Sequence, residues 1–141
     1  MNALRRLGVT ALAFLALCGA SCSRAPYAPN VALTYSAPAA AYQMRTGKDP
    51  QRLYTRAIAE NGGRIVPIAQ TRTAEQVALL LEGVDGILLP GGIDVDPKFY
   101  GEGRHEKLEK TDADLDRHEI ALLDWAAARA LPVFGVCRGH Q

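Results

Sequence analysis

From about residue 31 onward, hydrophobic and polar positions fall into blocks of two kinds. One kind is a short apolar run: Val31 to Tyr35, Arg64 to Ile68, Gly86 to Leu89 and Pro132 to Val136. Short continuous runs bounded by Gly, Pro or Asn suit strands, and the Gly86 to Leu89 run suits one buried on both faces. The other kind carries apolar residues at helical spacing. Leu53, Ala57 and Ile58 form one stripe, in a helix that Asp49-Pro50 starts and Asn61-Gly62-Gly63 ends. Val77, Leu80 and Leu81 form a second, capped at or just before Thr73 and ending near Gly83. Leu115, Leu122, Leu123, Ala126 and Ala130 form a third, over about 113–130. Strands that alternate with helices predict an α/β fold, an open, mostly parallel sheet with helices on both faces. No internal repeat is visible.

Two places interrupt this pattern. The polar stretch from Ile93 to Thr111 separates the third strand from the third helix, and its length and its Pro, Gly and charged residues predict an active-site loop. Glu119 falls on the apolar face of the third helix. There it must find a donor or accept a raised pKa, and in that case it braces the loop. The simpler reading is solvation at the edge of the stripe.

The first 30 residues read differently. Arg5 and Arg6 form a basic patch, Val9 to Leu17 an uncharged apolar run, and Gly19-Ala20-Ser21 a set of small residues before Cys22. These are the three zones of a secretory signal, and the run is too short to span a bilayer. Small residues directly before a cysteine resemble the bacterial lipobox, in which that cysteine is acylated, although Gly19 departs from the usual Leu. Plain secretion and an apolar start to the fold are the alternatives. The residues after Arg5-Arg6 match the signal for folded-protein export poorly. Ser23 to Ala41 is rich in Ala, Pro, Ser and Tyr, which suggests a tether, but the Val31 to Tyr35 run favours a first strand within it. We therefore assign 1–22 as a lipoprotein-like signal peptide, 23–30 as a tether, and 31–141 as the N-terminal part of a hydrolase domain. The expected location is exported, periplasmic or membrane-anchored in a bacterium, with Cys22 as the lipidation site and the membrane reached only through that anchor.

Composition adds little. The 141 residues are 48% apolar and 22% charged with net charge +1, which fits one small domain and argues against a nucleic-acid partner. Cysteine use adds more. Of the three cysteines, Cys18 and Cys22 fall in the signal segment, so the mature chain holds at most a lipidated Cys22 and Cys137, and no disulfide framework. An exported thiol is exposed to oxidation and calls for a role.

That role is suggested by Gly135-Val136-Cys137-Arg138-Gly139, a G-x-C-x-G sequence at the end of a buried strand. It is the cysteine counterpart of the G-x-S-x-G nucleophile elbow. A sharp strand-to-helix turn strains the nucleophile's backbone, and a glycine two residues to either side removes colliding side chains. At the start of the following helix, unpaired N–H groups and the helix dipole stabilise a thiolate, and Arg138 adds positive charge nearby. The backbone N–H of Arg138 is placed as one donor to a tetrahedral oxyanion, and Gly91 or Gly92 as the other. Those glycines end a neighbouring parallel strand, and ligands of open α/β sheets bind at the carboxyl ends of strands.

Leu88 to Tyr100 reads L-L-P-G-G-I-D-V-D-P-K-F-Y, and Pro132 to Gln141 reads P-V-F-G-V-C-R-G-H-Q. Together these segments resemble the class I glutamine amidotransferases, a flavodoxin-like fold, and more narrowly the gamma-glutamyl hydrolase branch that includes gamma-glutamyl-gamma-aminobutyrate hydrolase. The resemblance runs from about Val31 to the last residue. It implies Cys137 as the nucleophile, Gly91 or Gly92 with Arg138 as the oxyanion hole, and a loop carrying Asp94, Asp96 and Tyr100 beside a small gamma-glutamyl substrate. Leu115-Asp116 departs from the Arg-Asp commonly found there. Members complete the site with a His base and an orienting acid well beyond the elbow, so the chain is expected to be a fragment, truncated after the elbow and inactive by itself. A glutaminase subunit, a catalytically incompetent remnant and a binding module are the alternatives.

Other features receive plainer readings. Cys137 and His140 form an isolated C-x-x-H, a poor zinc site, and His140 points along a different face from Cys137. Asp94 and Asp96 beside Pro and Gly are turn chemistry rather than metal ligands, and no metal or cofactor is expected. His105 and His118 lie among charges and are expected to be solvated. Trp125 and Tyr100 are expected to pack or to anchor loops.

Overall fold

The structure, a computed structural model, describes residues 27–70 and 73–141. The signal segment, Cys22 and residues 23–26 of the tether therefore lie outside the described residues. The elements run β1 (Asn30–Tyr35), α1 (Ala37–Thr46), α2 (Arg52–Glu60), β2 (Arg64–Ala69), α3 (Ala74–Leu80), β3 (Gly86–Leu89), α4 (Ala113–Ala127) and β4 (Val133–Gly135). The four strands form one parallel sheet in the order β2-β1-β3-β4. This is the doubly wound α/β arrangement expected from the alternation of patterns. Pro67, which has no N–H to donate, sits in β2 at one end of the described sheet.

Strand alternation divides the core. Ala32 and Thr34 of β1 face α4, where Thr34 Oγ1 donates to Glu119 Oε1 at 3.0 Å. Ala32, Ile87 and Leu89 join Val77, Leu81, Leu122 and Ala126 in one buried cluster. Leu33 and Tyr35 face the opposite way, and the Tyr35 hydroxyl donates to Asp49 Oδ1 at 3.1 Å in the turn that leads to α2. Burying each Leu, Ile or Val side chain of this core contributes about 1.5–3 kcal/mol. Among the described residues, no helix is long and apolar enough to cross a membrane.

Several expectations about faces are corrected. In α2 only Ile58 is buried, while Leu53 and Ala57 are exposed. Leu123 is 39% exposed at the edge of its stripe, and Ala130 lies beyond the end of α4 with a left-handed φ of 52°. The helix α1 had no counterpart in the sequence reading. It buries none of its residues, so it shows no apolar periodicity, and it rests on its ends instead. Ser36 accepts the Ala39 N–H, Pro38 lies in the first turn, and Gly47 at φ 67° donates its N–H to Gln43 O at 2.8 Å.

Candidate active site

β1 and β3 are neighbours, but the chain leaves them in opposite directions, toward β2 and toward β4. A doubly wound sheet opens a crevice at such a switch point, outside the carboxyl ends of the strands. A cavity of about 220 Å³ lies there, lined among others by Thr34, Ser36, Gly91, Gly92, Glu119 and Arg138. Cys137 does not line it but stands at its rim, since a Cβ added to Gly91 would lie 3.5 Å from the Cys137 Cβ.

The elbow is built as its glycines require. The Val136 N–H donates to Leu89 O at 3.0 Å, which holds the end of β4 against β3. Val136 is extended, and Cys137 then turns into the left-handed region at φ 51°. A β-carbon makes that conformation costly, by about 1–3 kcal/mol for such a sparsely populated state. A Cβ on Gly135 would lie 2.1 Å from Gly139 O, and one on Gly139 would lie 2.3 Å from Leu89 O. No side chain fits either place without moving backbone. Cys137 is exposed, and the residues from Cys137 to His140 form a 3-10 turn. His140 is exposed.

Arg138 behaves differently from the expectation of a charge beside the thiol. Its side chain turns inward and is buried against Asp116 and Glu119, which pair with its guanidinium at 2.6 and 2.8 Å. Glu119 is likewise buried rather than solvated at an edge. Burial pushes its carboxyl above the ordinary value, opposed by the Arg138 charge and the Thr34 hydroxyl. Helical periodicity placed Glu119 on the apolar face but could not show that a guanidinium waits there. His118 is also buried rather than solvated, and that burial holds its ring below the usual imidazole value.

The loop residues separate from the switch-point cavity. Asp94 accepts from Gln141 Nε2 and from the Glu109 N–H, each at 3.0 Å, and these bonds hold its carboxyl below the usual range. Asp96 accepts the Lys98 N–H at 3.1 Å and pairs with Lys98 Nζ at 2.9 Å, which starts the 3-10 turn Pro97–Phe99. Tyr100 lines a second cavity of about 160 Å³ with Val95, Phe99 and Gln141, on the far side of Arg138 and Glu119. His105 is exposed as expected. Trp125 packs against the core beneath the Arg129 guanidinium, 4.1 Å from the ring centre.

One residue at the rim escaped the sequence reading. The Gly91 N–H, a candidate oxyanion donor, donates to Tyr54 Oη at 3.1 Å. Tyr54 reaches it from α2, four residues before the buried Ile58 and so on the same face of the helix. In sequence it is one aromatic beside Leu53, and only the packing of α2 over the sheet brings it to the glycines. Asp49 steadies this helix by accepting from Thr55 Oγ1 at 2.7 Å and from the Gln51 N–H at 2.8 Å. Burial works against the Asp49 carboxylate, but these bonds and the one from Tyr35 outweigh it and hold the carboxyl below its ordinary value.

A doubly wound sheet with a strained cysteine at a strand end defines a class of α/β hydrolases and amidotransferases. Residues 31–141 match the Peptidase C26 family, and the chain belongs to it. It is 38% identical over 92 residues to a glutamine amidotransferase-like protein of Rickettsia prowazekii, covering 64% of this chain and 32% of that protein. It is 38% identical over 95 residues to the gamma-glutamyl-gamma-aminobutyrate hydrolase of Escherichia coli O157:H7, covering 64% of this chain and 36% of that protein. A glutamine amidotransferase-like protein of Lactococcus lactis subsp. cremoris is 42% identical over 77 residues, 55% of this chain and 39% of its own. The chain thus spans roughly a third of the length of these curated relatives, whose names divide between the two activities. The hydrolase family and the glutamine amidotransferase-like fold are established.

Proposed function

We propose that the whole protein is a cysteine-dependent hydrolase of gamma-glutamyl amide bonds. The observation that carries this reading is Cys137 held at φ 51° on a strand end, with Gly91 of the neighbouring strand end against it. In the proposed reaction Cys137 Sγ attacks the gamma-carbonyl carbon while its proton passes to a general base. The N–H groups of Arg138 and of Gly92, or of Gly91 once it is released from Tyr54 Oη, hold the oxyanion. Collapse breaks the C–N bond, the amine leaves with a proton, and a gamma-glutamyl thioester remains. Water then attacks the thioester to release glutamate and restore the thiol. The general base and its orienting acid are supplied, as family resemblance implies, from beyond the elbow. Asp94, Asp96 and Tyr100 belong to this reading as the loop that borders the substrate, Tyr100 from the second cavity.

The test is Cys137→Ala in the whole protein, assayed on gamma-glutamyl-gamma-aminobutyrate and glutamine side by side. Loss of hydrolysis, together with a gamma-glutamyl adduct on the parent trapped by acid quench and mass spectrometry, supports the reading. Full hydrolysis by the variant would sink it. A second reading, a glutaminase that delivers ammonia to a synthase, draws on the amidotransferase-like relatives. A strong preference for glutamine, with ammonia retained by a co-purifying synthase, would favour it.

We further propose that residues 1–22 export the protein and that Cys22 is acylated. The three-zone signal pattern supports this. Metabolic labelling with a fatty-acid analogue should mark the parent and miss Cys22→Ser. A Cys22→Ser protein that stays equally membrane-bound would rule out the anchor.

A further inference from the structure

Arg138 follows the candidate nucleophile directly, yet its side chain is only 2% exposed. Every nitrogen of its guanidinium is engaged. Nε donates to Glu119 Oε2 at 2.8 Å and Nη2 to Asp116 Oδ1 at 2.6 Å. Nη1 donates to the backbone carbonyls of Ile93 at 3.0 Å and Asp94 at 3.1 Å. One side chain therefore joins the elbow, α4 and the segment that continues from Gly91-Gly92. Its stem runs against that segment, since a Cβ on Gly92 would meet Arg138 Cδ at 3.2 Å. Asp116 extends the tie by accepting the Asp96 N–H on its other oxygen at 3.1 Å. Thr34 holds the second oxygen of Glu119 from β1.

A buried cluster of this kind is a poor source of net stability, because removing the charges from water offsets most of their attraction. Apolar residues of similar volume would hold α4 to the sheet as well. What the guanidinium supplies is geometry. Its planar fork satisfies two carboxylates and two carbonyls only when all of them stand in fixed places. The segments it fixes are the ones that carry the candidate oxyanion donors, Gly91-Gly92 on one side and the Arg138 N–H on the other.

We propose that the Arg138 side chain, held by Asp116 and Glu119, is a positioning residue that sets the spacing between these two donor segments so that both N–H groups meet one oxyanion. The proposal rests on the thioester reading and deepens it by assigning the element that assembles the oxyanion hole. Two such donors act together only when each lies about 2.7–3.1 Å from the developing charge. A shift of about 1 Å costs about 100-fold in rate. Since the side chain is buried and every nitrogen of its guanidinium is already engaged within the protein, its effect belongs in kcat rather than KM.

The experiment uses the whole protein with gamma-glutamyl-p-nitroanilide as probe and reads kcat, KM and thermal midpoint. Arg138→Lys keeps the charge and loses the fork, and kcat should fall about 10- to 100-fold while KM stays within about threefold. A triple variant, Arg138→Met with Asp116→Leu and Glu119→Leu, replaces the cluster by apolar volume. It should regain a parental or higher midpoint while kcat stays low. Return of kcat to within about twofold of the parent in a triple variant that melts like the parent would show packing alone and overturn the proposal. If the triple variant fails to fold, Arg138→Lys decides, and an unchanged kcat there overturns it. Cys137→Ala separates the two readings. Hydrolysis lost in Cys137→Ala but unchanged in Arg138→Lys sinks the positioning role alone, whereas hydrolysis retained in Cys137→Ala removes the thioester reading and this role with it.

Discussion

Gly139 shows how a single missing side chain shapes the site. It lies where β4 turns back over Leu89, and a Cβ there would sit 2.3 Å from Leu89 O and 2.7 Å from Leu89 Cβ. Gly139→Ala must therefore move backbone at the strand end that carries Cys137. It should lower unfolding free energy by about 1–3 kcal/mol, the usual range for overpacking, and a denaturant titration with the midpoint unchanged would contradict the geometry. The need for both glycines was legible in the G-x-C-x-G spacing, because the elbow's steric demand is local. The inward course of the Arg138 side chain was not legible, because its partners lie 19 and 22 positions earlier in the chain. Sequence shows a basic residue beside a cysteine, while the fold decides which carboxylates reach it.

At the scale of elements, α4 is the one that links core to site. Its start is set by Asp112, whose carboxylate accepts the N–H groups of Asp114 at 3.0 Å and Leu115 at 3.1 Å. Asp112→Ala leaves these groups without their cap and should cost about 1 kcal/mol of stability. Asp112→Asn should recover most of it in the same denaturant titration, and an equal loss in both variants would point to some role other than capping. The helix itself was legible from its apolar stripe, and its Glu119 was legible as an anomaly. By contrast α1 was illegible as a helix, because periodicity detects a buried face and α1 has none. Its Ala, Pro and Ser residues read equally well as tether, and the difference lies in a cap at Ser36 and a left-handed Gly47.

Across the whole molecule, stability should follow the buried titratable groups. The burial of His118 lowers its folded pKa below the unfolded value of about 6.5, so the unfolded state takes up a proton first. Its contribution is present above that unfolded value and is lost as pH falls through the folded pKa. Unfolding free energy should therefore decline as pH drops below about 6.5, and an NMR titration of the His118 ring should show a midpoint below that value. A midpoint at or above it would contradict the burial. The interior of the sheet should respond most to truncation. Leu33 in central β1 is fully buried, and Leu33→Ala should cost about 2–5 kcal/mol in a calorimetric or denaturant measurement, against little for the exposed Leu53→Ala. The sequence by itself determined the alternation of strands and helices, the parallel sheet and the strained cysteine turn, because periodicity, turn chemistry and steric demand act between near neighbours. Only the tertiary structure decided that Tyr54 meets the Gly91 N–H, that Glu119 and Asp116 enclose Arg138, and that Tyr100 lies on a separate cavity. Those contacts join segments brought together by crossovers of the sheet, and no local pattern records which side chains a crossover will place face to face.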